Sequence, residues 1–190
     1  RGEVVHLEEA LQTILSQRDY APAIQILLGE MLSATALLAS TLKIKGRISL
    51  QIQASGSLKW AMAECNHLGE VRGLADYEDN DLFNQADDSS TVLSTLVNPV
   101  LFINIEPEFG DRYQGIVPLD KPNLAKCLVQ YYDLSAQIPT RIVLASSNQR
   151  AGGILIQLLP RNNEDEQQRV DEDIWPRLTM LTETLKAEEL

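Results

Sequence analysis

The sequence predicts an α+β fold in which a largely antiparallel or mixed sheet packs with helices. A long buried helix lies near the N-terminus and an amphipathic helix near the C-terminus. Three observations carry this prediction. Ala23 to Ile44 holds only Glu30 and Lys43 as charges and keeps a helical apolar period. From Gly46 the period changes to two, as in half-buried strands. Turn signals then follow one another without the regular βαβ alternation of a parallel sheet.

Taken in order, Val4, Leu7, Leu11, Ile14 and Leu15 recur at helical spacing, with Glu8, Glu9 and Gln12 facing outward, and predict an amphipathic first helix over Val4 to Arg18. Pro22 suits the first turn of the next helix, because its missing N–H has no partner to lose there. Ile24, Leu27, Leu28, Met31, Leu32, Thr35, Leu38 and Leu42 continue that helix until Gly46 ends it. Ile48, Leu50 and Ile52 then alternate with Arg47, Ser49, Gln51 and Gln53. Ser55-Gly56-Ser57 is a turn, and Leu58 to Cys65 and Glu70 to Ala75 are strands around a turn at Asn66 to Gly69, giving a three-stranded meander. Asp76 to Asp88 reads as an acidic loop.

Leu101 to Ile105 is a strand, Gly110-Asp111 a turn, and Tyr113 to Leu119 its hairpin partner. Leu124 to Tyr132 is helical. Arg141 to Ala145 and Ile154 to Leu159 are strands, and Gly152-Gly153 reads as a close-approach turn between them. Arg161 to Arg169 is a polar linker. The last helix starts near Asp173, tolerates Pro176 in its first turn, and gathers Trp175, Leu178, Leu181 and Leu185 on one face. The domain division is therefore a core over 1–160 and a polar arm with its helix over 161–190.

A net charge of -11 and a pI near 4.6 argue against phosphate backbones and anionic membranes as partners, since an acidic surface repels both. The stretch over 23–44 approaches transmembrane length, but Glu30 near its middle would be costly in hydrocarbon, so no membrane is expected. With 5% aromatic residues, stacking on bases cannot be a major device, and nucleic acid is not expected. Cys65 and Cys127, the two cysteines, stand far apart, which fits a reducing compartment. No basic and apolar leader opens the chain, and a cytoplasmic location is expected.

The residues offer little to catalysis. Cys65 and His67 are the nearest pairing of a nucleophile with a base, and they define the alternative reading: a thiol enzyme or small-molecule binder with a site at a subunit interface. No third group signals an oriented imidazole. Hydrolase elbows and phosphate-binding glycine loops are missing, and His6 and His67 are the only histidines. No catalytic, cofactor-binding or metal residues are expected in this chain.

Several blocks resemble the 33-kDa heat-shock protein family, the bacterial redox-regulated holdase chaperones, in the family's order. They are Leu28-Gly29-Glu30-Met31-Leu32 with Ala34-Thr35 and Leu42-Lys43, then Gln51-Ile52-Gln53 and Val71 to Ala75. Further blocks are Arg112 to Val117, Cys127 with Tyr131-Tyr132, Gly152-Gly153 with Ile156-Gln157 and Pro160, and Leu181 to Leu190. Two local departures are Ser135-Ala136-Gln137 and Ala54-Ser55-Gly56.

The resemblance implies an ATP-independent chaperone that binds unfolding client proteins under oxidative stress and is not an enzyme. It implies a homodimer on activation, for which exchange of the C-terminal segment, through Trp175, Leu178, Leu181 and Leu185, is a route. It also implies zinc in a C-terminal switch domain, held by four cysteines that this chain does not contain. Trp60 and Phe83 are the expected client-binding residues, since clients are held through apolar surface.

Overall fold

A computed structural model of the chain describes residues 1–42, 45–159, 173–186 and 189–190. Two antiparallel sheets enclose one central helix. The chain runs β1 (Gly2–Leu7), α1 (Glu9–Leu15), α2 (Pro22–Thr41), β2 (Gly46–Ser55), β3 (Leu58–Asn66) and β4 (Val71–Tyr77). It continues through α3 (Asp81–Gln85), α4 (Ser89–Ser94), β5 (Val97–Pro107), β6 (Tyr113–Pro118), α5 (Leu124–Tyr131), β7 (Thr140–Ser146), β8 (Ala151–Gln157) and α6 (Ile174–Glu183). The larger sheet has the order β4-β3-β2-β5-β6 and the smaller β1-β8-β7.

Helix α2 packs on β2, β3 and β4 of the larger sheet and on β1, β7 and β8 of the smaller. A helix covered on both sides must be apolar around most of its circumference, which explains a composition that would otherwise suit a bilayer. By length and composition it is apolar enough to cross a membrane, yet 67% of that stretch is buried inside this fold. Its last carbonyls lack intrahelical partners, and Arg1 supplies them: the guanidinium donates to Thr41 O at 3.0 Å and Ser40 O at 2.6 Å. A cation at this end also opposes the helix dipole.

The contact with the smaller sheet is close because small residues meet there. A Cβ at Gly153 would lie 2.8 Å from Leu144 Cδ2 and 2.9 Å from Leu37 Cδ1. Gly152-Gly153 therefore belongs inside β8, paired with β1 and β7, and not in a turn as the sequence suggests. The missing side chains let helix and sheet approach, and that need overrides the weak strand propensity of glycine.

Three other expectations change. The helix predicted over Val4 to Arg18 is a strand followed by a short helix: β1 pairs antiparallel with β8, and α1 starts only at Glu9. Val4, which the helical reading put on the buried face, is 75% exposed, while Leu11 and Ile14 are buried as expected. The hydrogen bonds β8 offers along its edge decide the conformation of residues 2–7, and a single-chain period does not report them. The acidic loop at Asp76 to Asp88 contains α3, whose N-cap Asn80 accepts from Phe83 N at 2.9 Å. Asp88 caps the following α4 by accepting from Thr91 N at 2.7 Å. The long helix ends at Thr41, and Gly46 opens β2.

The polar linker predicted over Arg161 to Arg169, and the boundary between 160 and 161, lie outside the described residues. Helix α6 follows Asp173 as expected and packs on β7, with the Arg141 guanidinium 5.4 Å from the Trp175 ring centroid. It ends at Glu183, so Leu185 falls just beyond it.

Candidate functional site

In the larger sheet, strand alternation sends Ile48, Leu50 and Ile52 of β2 toward α2, with Ala61, Ala63 and Cys65 of β3 and Leu101 and Ile103 of β5 beside them, all buried. The residues between them form the outer face. Their register gathers them into rows. Leu74, Met62, Gln51, Phe102 and Ile116 are successive cross-strand partners from one edge of the sheet to the other. The next row is Asp76, Trp60, Gln53, Val100 and Pro118.

Toward the opposite end the face turns polar. Arg72, Glu64, Ser49, Asn104 and Gln114 form one row, tied by Arg72 to Glu64 at 3.0 Å, Asn104 to Ser49 at 3.3 Å and Gln114 to Asn104 at 2.7 Å. Beyond it Arg47 donates to Glu106 at 2.7 Å, and that bond holds the Glu106 carboxyl below its ordinary pKa. The polar half is thus satisfied internally. In the apolar half, Ile116 is 61% exposed and Leu74 42%, with Met62, Trp60, Val100 and Phe102 half-buried between them.

Gln51, Gln53 and Asp76 interrupt these rows, so the exposed apolar surface is concentrated at Leu74 and Ile116 on the two margins, with partly covered apolar side chains between them. Burying this surface removes apolar area from water at roughly 25 cal/mol per Å², with no demand for a particular side-chain pattern on the partner.

Of the residues expected from the sequence to hold clients, Trp60 lies in this apolar half. Phe83 does not: it has no exposed surface and packs against Tyr77, with ring centroids 6.1 Å apart. Met62, Leu74, Phe102 and Ile116 were missed. Their signal is present in the sequence, since an apolar residue at an outward strand position breaks the alternation seen at Arg47, Ser49 and Gln53. On α6, Leu181 is 63% exposed while Trp175 and Leu178 are half-buried.

Cys65 and His67 do not form a nucleophile and base pair in this structure. The Cys65 thiol is buried and donates to Asn66 O at 3.4 Å, while His67 Nδ1 accepts from Gly46 N at 3.4 Å. Burial, with the Glu64 carboxylate as a second cause, pushes the thiol pKa up, away from the thiolate a nucleophile requires. Cys127, on α5, is also free, buried and raised by burial. Among the described residues no group of three or more His, Cys, Asp or Glu side chains stands close enough to hold a metal. Two separated, buried thiols do not fit the four-cysteine zinc site that the resemblance implies.

The model of the Hsp33 protein family matches residues 1–190. The chain belongs to the Hsp33 family. Among Hsp33 relatives, the 33 kDa chaperonin of Ectopseudomonas mendocina (strain ymp) is 43% identical and that of Shewanella sp. (strain W3-18-1) 40% identical, each over all of this chain and 63% of the relative. The chain therefore spans less than two thirds of the length of those proteins. The crystal structure of the Thermotoga maritima 33 kDa chaperonin, a heat shock protein 33 homologue, superposes with a TM-score of 0.79 at 21% identity, covering 98% of this chain and 64% of that one. That likeness establishes a shared Hsp33 fold. Membership of a family whose relatives are named chaperonins agrees with the expectation that the chain is not an enzyme.

Proposed function

We propose that this Hsp33-family chain is the core of an ATP-independent, redox-regulated holdase that binds unfolding proteins and prevents their aggregation under oxidative stress. The observation that supports it most directly is the apolar half of the outer sheet face, from Leu74 through Met62 and Phe102 to Ile116. Unfolding clients expose apolar segments of no fixed sequence, and a broad sheet face lowers the area both sides present to water. Trp60 contributes an aromatic surface at the margin of the same area.

Redox control belongs, in this reading, to a zinc-binding segment outside this chain. The protein works in the bacterial cytoplasm and dimerises through its C-terminal segment, with residues 1–160 as the chaperone core and 161–190 as the arm leading from it. Neither nucleic acid nor membrane is a partner.

Suppression of light scattering by a thermally unfolding model client tests the reading. The chain is expected to suppress aggregation, and the double substitution Phe102→Thr with Ile116→Thr is expected to remove most of that effect while leaving the circular dichroism spectrum unchanged. Full suppression by the folded double variant would place the client surface elsewhere. Absence of suppression by both this chain and an oxidised, full-length relative would end the chaperone reading.

A further inference from the structure

Glu30 is the only charged residue of α2, and its side chain reaches α4, where Ser89 Oγ donates to Glu30 Oε2 at 2.5 Å. Ser89 is itself buried. Burial raises the Glu30 pKa from 4.5 to about 7; the Ser89 hydrogen bond opposes the rise, and the neighbouring Asp88 carboxylate adds to it. Asp88 in turn stays ionised, because it accepts from Ser90 Oγ, Thr91 N and Thr91 Oγ1, which hold its pKa low.

The other charged groups around α2 are turned outward or engaged. Lys59 of β3 meets Glu78, Arg72 of β4 meets Glu64, Arg18 meets Asp76, and Arg47 of β2 meets Glu106. Arg1 pairs with Glu3 of β1, and Arg141 of β7 lies over Trp175. His6, Glu9 of α1, Asp81 of α3, Asp87 and Lys126 of α5 are exposed. The nearby Tyr77 phenol accepts from Ala21 N and donates to Asp19 O. Asp88 is therefore the charge that acts on Glu30, and it has the same sign.

We propose that Glu30, seated against α4 beside Ser89 and Asp88, is a proton-controlled latch that lets the α3–α4 excursion stay closed on α2 while its carboxyl is neutral. When the proton leaves to solvent, a carboxylate is stranded in a poorly solvated site beside Asp88, and opening the excursion hydrates it. Opening uncovers Phe83, Val92 and Leu93, which are buried in the closed form. The direction follows from linkage. The closed form keeps the proton up to about pH 7 whereas an opened, hydrated carboxyl loses it near its ordinary 4.5. The advantage of the closed form is complete below the lower value, declines as pH rises between the two, and is gone above the upper one. The latch is independent of which surface holds clients.

Hydrogen exchange read by mass spectrometry, corrected for the intrinsic pH dependence of exchange, tests it on peptides covering residues 81–96. Protection there is expected to fall on the order of a hundredfold between about pH 5 and about pH 8, with β2 and β5 as an unaffected reference. Glu30→Gln, which cannot ionise, is expected to remove that dependence. Ser89→Ala, which deletes the bond that favours the carboxylate, is expected to move the transition to higher pH and decides the matter if Glu30→Gln does not fold. Protection that does not change with pH in the unmodified chain, a dependence that persists in folded Glu30→Gln, or an unmoved transition in Ser89→Ala would each overturn the latch.

Discussion

Gly29 shows how a single missing side chain fixes the spacing of this fold. A Cβ there would overlap Ser146 Oγ and lie 2.9 Å from Ser146 Cβ and 3.1 Å from Ala151 Cβ, so α2 rests directly on β7 and β8. Gly29→Ala is expected to destabilise the protein by ~1–3 kcal/mol through overpacking, measured by urea denaturation with unchanged m-value. Adding Ser146→Gly in the same chain should recover most of the loss; no recovery would mean that the strain lies in the helix backbone and not in this contact. The same scale sets what could be read from the sequence. Leu11, Ile14, Leu27 and Leu38 announce their burial by spacing, whereas Trp60 and Phe83 look alike as isolated aromatics. Only the fold separates them, since Trp60 points outward from β3 and Phe83 is drawn under Tyr77 by the turn that Asn80 caps.

At the scale of elements, the long helix, the meander and the hairpins were legible because their periods are local. Strand β1 was not, because residues 2–7 owe their extended form to β8, more than 140 positions away. Helices α3 and α4 span 5 and 6 residues, too few for a period to show, although their caps Asn80 and Asp88 are visible in hindsight. Helix α6 lies where the sequence places it, but of its expected apolar face only Trp175 and Leu178 are half-buried, Leu181 is exposed and Leu185 falls beyond its end. Trp175 is held by Arg141, whereas Ile174, Met180 and Leu181 remain 48%, 60% and 63% exposed. An element with one half-docked face and three exposed apolar residues gains area by docking on a second copy, and exchange would reuse the Arg141 to Trp175 contact. Light scattering at increasing concentration is therefore expected to show a dimer, lost when residues 174–190 are removed and the remaining chain stays folded. A monomer at every concentration, or a dimer that survives the truncation, would remove α6 from the assembly.

The whole molecule combines a partly apolar outer sheet face with a net charge of -11. The sequence shows that charge directly, but not the surface, because the rows from Leu74 to Ile116 exist only once five strands from distant parts of the chain take one register. The two properties act at different stages of binding. Burial of apolar area determines how firmly a segment is held, while the long-range field determines how often a segment of a given charge arrives. Within the outer face, the charged half is already neutralised by its own pairs, Arg72 with Glu64 and Arg47 with Glu106, so the field reflects the acidic surface as a whole. If the holdase reading is right, basic unfolded clients should be captured faster than acidic ones of equal length and hydropathy, by about tenfold or more at low ionic strength. Raising salt to about 0.5 M shortens the Debye length below the size of the contact area and should bring the two rates together. Stopped-flow measurements with a matched pair of fluorescent, permanently unfolded peptides would show this convergence. Equal rates at low salt would assign capture to the apolar face alone and leave the acidic surface as a device for solubility.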